Sequence, residues 1–473
     1  MNSGDVFALL PLMISGATVV LVVLGIAAWR HHLMTVGIAL GGLVLAIVTA
    51  TQAFSLAPLR ATQLLIVDRY GLTFTIVILV AAAMVVMLSE GYLRRRHDHA
   101  EEHYVLVLTA ATGAGVLVHS AHFASFFLGL EILSVSLYAL IGYQRGEERG
   151  IEGALKYLIL AALSAALLVF GMGLVYAQTG AMSFADLATA GIGTGAIGIL
   201  GVGLIVVGLG FKLALVPFHM WTPDVYQGAS APVTAFIAGV SKIAVFALLL
   251  RYLGQSMGGP IFAVIAAMAM LSMLVGNLLA LKQRNLKRLL AYSSIAHMGY
   301  ALVALLAAGR QGALSATFYV IAYAFTIIGA FGIIALLSGR GEEVEELEGY
   351  RGLAWRSPWL TGALTLMLLS LAGMPVTAGF IGKFLLLTAG VGSQMWGLAL
   401  VLVVSSTIGI YYYLRVIRTL YERREDEEPA GPPERVPLLG AIAVTGLTLL
   451  VVWLGVLPAS LLSIIRAPGP IVR

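Results

Sequence analysis

Cysteine is absent from all 473 positions, which excludes disulfides, thiolate-ligated metals and iron–sulfur clusters. Charge is scarce as well. Asp, Glu, Lys and Arg make up 11% of the residues, where a water-soluble domain carries about 25%. So little charge does not solvate a globular surface. A P-loop, a dinucleotide fingerprint after a strand and clustered metal-ligand spacing are all missing, so no recognised motif offers ATP or a redox centre a place on the chain. The first apolar run lacks a basic segment before it and a small-residue cleavage site after it, so it reads as a membrane helix and not as a cleaved signal.

What is present is apolar sequence. Hydrophobic residues reach 60% and the mean hydropathy is +0.97. They fall in runs of about 20, the length that crosses a hydrocarbon core. Run length and breakers predict fourteen spans, at 7–28, 34–54, 71–90, 104–120, 122–142, 154–177, 195–218, 230–253, 260–281, 289–308, 313–338, 358–390, 394–420 and 436–457. The fold class is thus an all-α polytopic membrane protein. Spans 7 and 12 are interrupted, by Pro217 and by Gly373, Pro375 and Gly379, as in transporters whose broken helices line a polar cavity.

The basic residues are distributed unevenly. Loops after odd spans hold Arg30, Arg94 to Arg96, Arg145, Arg149, Lys282, Arg284, Lys287, Arg288, Arg340, Arg351, Arg356 and the group from Arg415 to Arg435. The other side has only Arg60, Arg69, Arg251, Arg310, Arg466 and Arg473. The positive-inside rule makes the first side cytoplasmic and puts both termini outside. A repeat is also visible. Tyr157-Leu-Ile resembles Tyr319-Val-Ile, Ser164 aligns with Thr326, Glu131 with His297, and Lys212 with Lys383. Spans 4–8 and 9–13 become two five-helix units, and an odd helix count inverts one relative to the other. The divisions expected are a three-helix segment at 1–103, repeat units at 104–253 and 254–424, and a last helix and tail at 425–473.

Lysine is the informative residue type. It occurs at 156, 212, 242, 282, 287 and 383 only, every other basic residue being Arg. Four of the six fall in apolar spans. Arg keeps its proton in any site, whereas a buried Lys releases it. Each such Lys costs roughly 2.5–3.5 kcal/mol to insert, so partners or water are required. Glu131, deep in span 5, is the natural counter-ion, and a moving counter-ion makes a switch. Lys212 and Lys383 stand beside the broken helices, Lys242 lies mid-span, and His297 with Ser293, Ser294 and Tyr300 suits a relay. Static ion pairing is the competing account of Glu131, and snorkelling competes for Lys156. His219 and Asp224 flank the loop after span 7, either lining a path or solvated in a loop. The acidic runs Glu342–Glu348 and Glu425–Glu428 read as solvated loops, and Tyr411, Tyr412 and Tyr413 as packing or interfacial aromatics.

Four stretches carry a family resemblance: Ala154-Leu-Lys-Tyr-Leu, Lys212 through Val233, Asn285 through Tyr300, and Gly373 through Lys383. In these the chain resembles the proton-translocating antiporter-like subunits of respiratory complex I, relatives of multisubunit cation/proton antiporters. The resemblance implies fourteen core helices, inverted repeats, and proton-carrying residues that fall here on Glu131, Lys212, Lys242, His297 and Lys383. Lys383 matches the N-type members, whereas M-type members usually hold Glu there. The large L-type members extend into a lateral helix, and this sequence stops soon after Trp453. The implied setting is the cell (inner) membrane, beside an M-like subunit and the small membrane subunits A, J and K. The implied activity is that of a translocase subunit with no cofactor of its own, NADH and quinone being used by partners. A subunit of a cation/proton antiporter or of a membrane-bound hydrogenase, and a scaffold whose buried charges only order helices, remain as alternatives.

Overall fold

A computed structural model describes residues 3–96, 100–144, 146–191, 195–253, 259–307, 309–338, 343–422 and 436–466. The Glu425–Glu428 run, Glu342, and Arg145, Arg340, Arg423, Arg424, Arg435 and Arg473 lie outside the described residues. Hydrocarbon offers the backbone no hydrogen bonds, so each crossing segment must satisfy its own, and the helix does so. Helices form at each of the fourteen expected places, and among the described residues twelve are long and apolar enough to cross a membrane. Eleven are continuous α-helices: Ser3–Ala28, His32–Ala53, Arg69–Arg94, Glu101–Val118, Phe123–Ile141, Glu148–Thr179, Gly259–Leu281, Leu286–Leu306, Gly309–Leu337, Trp396–Tyr421 and Leu438–Val456. These are spans 1–6, 9–11, 13 and 14.

The other three are irregular. Span 7 runs over Gly195–Lys212, breaks before Pro217, and resumes as the short helix Trp221–Gly228. Span 12 is split into Pro358–Ala372 and Ala378–Gly392. Span 8, Ala231–Leu253, holds a π-helical turn at Ile237–Ser241 that ends where Lys242 begins. No proline or glycine cluster announced this turn in the sequence. Turns of this kind widen a helix locally and recur at functional sites.

Helix ends are closed by side chains. His31, Asp68, His122 and Asn285 each accept a backbone N–H from the first turn that follows. Spans 6 and 7 pack backbone to backbone at Gly171 and Gly201, where an added Cβ on either would stand within 3.0 Å of the other's carbonyl oxygen. Small residues allow such contact where no hydrophobic force draws helices together. Spans 8, 10 and 11 are buried along nearly their whole length, whereas spans 1, 2, 6, 13 and 14 expose large apolar faces. The bundle thus has a three-helix centre, and that centre carries Lys242 and His297.

Two residues aligned in the expected repeat make similar hydrogen bonds. Ser164 in span 6 donates to the carbonyl of Gly208, in the broken span 7. Its counterpart Thr326 in span 11 meets the hydroxyl of Ser370, in the broken span 12. Both bonds join residues 44 positions apart.

Candidate proton-transfer site

Three lysines sit buried at irregular points in helices. Lys212 ends the first half of span 7, Lys242 follows the π turn, and Lys383 lies in the second half of span 12. Each ammonium group donates to a serine hydroxyl. Lys212 Nζ lies 2.7 Å from Ser134 Oγ, Lys242 Nζ 2.5 Å from Ser294 Oγ, and Lys383 Nζ 2.9 Å from Ser406 Oγ. Lys383 also donates to the carbonyl of Ala372, freed where span 12 breaks, at 2.9 Å. Aromatic faces complete the surroundings. Tyr157 lies under Lys212 at 5.4 Å, Tyr226 under Lys242 at 5.7 Å and Tyr300 under Lys383 at 5.2 Å. Such faces attract a cation without neutralising it. Among the described residues, no carboxylate comes within ion-pair distance of these three lysines.

Glu131, read from the sequence as the counter-ion of a buried lysine, makes no ion pair with Lys212 among the described residues. Ser134, one turn further along span 5, takes the ammonium instead. Glu131 is half-buried, on a helix whose Leu128 and Val135 are exposed, and its buried Oε1 has no hydrogen-bond partner.

His297 is fully enclosed in tyrosines. Its Nδ1 meets the hydroxyl of Tyr319 at 2.7 Å and its Nε2 that of Tyr413 at 3.2 Å. The rings of Tyr323 and Tyr300 lie 5.1 and 5.5 Å from its own. Tyr323 donates to Ser294 at 2.6 Å, and Tyr300 underlies Lys383, so His297 lies between the Lys242 and Lys383 sites. Lys242, Ser294, Tyr323, His297, Tyr300 and Lys383 therefore form one contiguous series. Lys212 joins it less directly, through Tyr157 and Trp221 (ring centroids 4.7 Å apart) and then the short helix that bears Tyr226.

Several sequence readings need correction. Lys156 is 44% exposed and paired with Glu152 and Asp224, so it is a rim residue and not an embedded one. Asp224 is no free loop carboxylate: it bridges Lys156 and Arg288, both at 2.8 Å. Burial pushes its carboxyl up, but these two cations outweigh that and hold it below the usual carboxylate range. His219 is buried in the span 7 break with Nδ1 unpartnered, and it joins none of the lysine sites. Tyr412 and Tyr413 are polar members of the interior, Tyr412 donating to Asn277 at 3.0 Å and Tyr413 touching Ser293 and His297. Tyr411 alone is exposed. Arg251, counted on the arginine-poor side, is buried in the last turn of span 8 and grips both oxygens of Asp68 at 2.8 Å.

The acidic loop before span 12 differs most. It was expected in solvent, yet Glu343 is buried against Lys287, itself assigned to a loop and found 1% exposed. Glu345 accepts from Gln227, Asn285 and Arg149. Burial raises the Glu343 carboxyl, and Lys287, Tyr92 and the Ala231 amide together bring it below the ordinary value. The sequence signal was its own acidity opposite the Lys287-Arg288 pair.

Comparison with known proteins gives a consistent result. Residues 120–409 match the family described as NADH:quinone oxidoreductase/Mrp antiporter, TM. A NADH-quinone oxidoreductase subunit N from Methylococcus capsulatus is 46% identical, over 98% of this chain and 95% of that protein. One from Ectopseudomonas mendocina is 44% identical, over 98% and 97%. A chain of respiratory complex I from Thermus thermophilus, solved with bound aureothin, superposes with a TM-score of 0.84 at 36% identity, covering 97% of this chain and all of that one.

Proposed function

We propose that this chain, which belongs to the NADH:quinone oxidoreductase/Mrp antiporter family and within it to the subunit N branch, moves protons along Lys212, Lys242, His297 and Lys383 under the control of Glu131. The observation that carries this is the company of the lysines. Each is held by a hydroxyl and an aromatic face, with no carboxylate in contact among the described residues. A neutral partner adds nothing to hold the ammonium charged, whereas a carboxylate in contact favours the charged form.

Glu131 supplies the control. A change in the charge or position of a carboxylate near a buried lysine alters how strongly the lysine holds its proton. Quinone reduction in partner subunits is the event that would displace Glu131. Lys212 then passes a proton by way of Lys242 and His297 toward Lys383, and hydrated half-channels complete the path. The chain contributes no redox centre; NADH and quinone belong to partners. Those partners are an M-like antiporter subunit and the small membrane subunits A, J and K. The divisions at 1–103, 104–253, 254–424 and 425–473 fit this reading, with an inverted repeat on each side of the Lys242–Ser294 contact. The chain resides in the cell membrane with its arginine-rich face in the cytoplasm and both termini outside.

The test is Lys212→Ala and Glu131→Ala in the assembled complex. Acidification of sealed vesicles driven by NADH oxidation is expected to disappear or fall severely in both. Normal acidification in both variants would reject the assignment.

A further inference from the structure

On the arginine-rich face a cavity of about 610 Å³ opens between the helices. Gln144, Arg149, Gln227, Lys287, Glu343 and Glu345 are among the residues that line it. Its floor is an ion pair withdrawn from water. Lys287 Nζ lies 2.6 Å from Glu343 Oε2, with side chains 2% and 7% exposed. The other Glu343 oxygen accepts from the Tyr92 hydroxyl at 2.7 Å and from the Ala231 amide at 2.8 Å. The ammonium donates also to the carbonyl of Ala229 at 2.7 Å. Span 3, the start of span 8, the start of span 10 and the loop before span 12 all meet at this pair.

A buried ion pair adds little net stability over an apolar pair of equal size, so stability alone does not account for it. Its position suggests another role. Lys287 shares a face of span 10 with Ser294, seven residues or about 10.5 Å further into the bundle. Ser294 is the hydroxyl that holds Lys242. Polar groups occupy much of the interval. The Thr234 hydroxyl reaches the carbonyls of Ala229 and Tyr226, each at 3.3 Å, and the Tyr226 hydroxyl meets Ser294 at 3.3 Å. Backbone carbonyls accept hydrogen bonds but pass no proton on, so the break in this series runs from the Lys287 ammonium to the far end of the Tyr226 ring. A transient file of water past that ring would close it.

We propose that the Glu343–Lys287 pair is the proton-uptake site that reloads Lys242 from the cavity. This rests on the reading of Lys242 as a proton carrier. Lys287 gives its proton inward to a discharged Lys242 amine. With Lys287 neutral, the attraction that kept Glu343 ionised is gone, and the carboxylate takes a proton from hydronium in the cavity. It hands that proton to Lys287 and the pair is restored. One proton enters for each that moves on, and nothing is oxidised or reduced. The charged and titratable groups around the pair and its cavity are Tyr92 from span 3 and Arg96 just beyond it, Glu147, Glu148 and Arg149 at the start of span 6, and Glu345, Glu346 and Tyr350 from the loop side.

The experiment compares Glu343→Gln, Lys287→Arg and Lys242→Ala in the assembled complex, reading vesicle acidification per NADH oxidised. Gln keeps an acceptor for Tyr92 and Ala231 but carries no transferable proton. Arg keeps the charge and does not release it. Both are expected to lower pumping about a hundredfold, the low end for loss of a positioned proton-transfer group. A purely structural pair predicts that Lys287→Arg pumps normally. Normal pumping in both pair variants beside an inactive Lys242→Ala overturns the uptake site and spares the relay. Normal pumping in Lys242→Ala overturns the relay itself. If Glu343→Gln does not assemble, Glu343→Asp is the substitute. It keeps the carboxylate and is expected to pump with a displaced pH profile; an unmoved profile overturns the proposal.

Discussion

Three adjacent tyrosines in span 13 show how much one residue's orientation decides. Tyr411 is 64% exposed, while Tyr412 and Tyr413 are fully buried and each makes a hydrogen bond inside the bundle. Successive helical residues differ by about 100°, so identical side chains meet lipid, Asn277 and His297 in turn. Tyr413→Phe keeps the ring and removes the hydroxyl shared by Ser293 and His297. It is expected to slow NADH-driven acidification severalfold while thermal stability changes by about 1 kcal/mol, the net worth of a hydrogen bond. Tyr411→Phe is expected to leave both unchanged. Equal effects of the two substitutions would separate Tyr413 from proton movement.

Among the elements, the broken helices are the constrained ones. In span 12 a Cβ on Gly379 would stand 1.8 Å from the carbonyl oxygen of Ser370, closing the gap in which the two halves pass each other. The same addition at Gly362 meets nothing within 4 Å. Gly379→Ala is expected to prevent accumulation of the assembled complex, or to leave it without pumping, and Gly362→Ala to behave as the parent. Complex content on a native gel and acidification together decide. The breaks themselves were legible, since Pro217 and the Gly373, Pro375 and Gly379 group interrupt runs otherwise long enough to span. The π turn before Lys242 was not. Its residues, Ile237-Ala-Gly-Val-Ser241, are ordinary helix formers in a membrane, and packing against neighbouring helices selects the wider turn.

For the whole molecule, the question is what holds the two faces. On the arginine-poor face Arg251 and Asp68 form a buried bidentate pair joining spans 3 and 8. Arg251→Leu leaves the carboxylate buried without its cation, and a loss of about 3–5 kcal/mol follows. Thermal unfolding of the purified complex is expected to fall accordingly, and adding Asp68→Asn to recover part of it. No recovery would mean that Arg251 works through packing alone. The orientation is checked on the same scale. Because the chain has no cysteine, Lys282→Cys and Ser55→Cys provide single reporters at exposed positions on opposite faces. An impermeant maleimide added to whole cells is expected to label Ser55→Cys and to spare Lys282→Cys. The reverse pattern would invert the assigned topology.

Composition and periodicity determined the membrane class, the multi-span helical fold, the two broken helices and three of the buried lysines, Lys212, Lys242 and Lys383, but not Lys287. Each follows from transfer free energy and backbone saturation, which act segment by segment. Only the tertiary structure decided the partners. That Ser134 receives the Lys212 ammonium, that tyrosines enclose His297, and that an acidic loop reaches across to Lys287 depend on which helix faces are brought together. A contact between residues 56 positions apart, such as Lys287 with Glu343, has no local physical cause. It arises from packing that no single segment specifies.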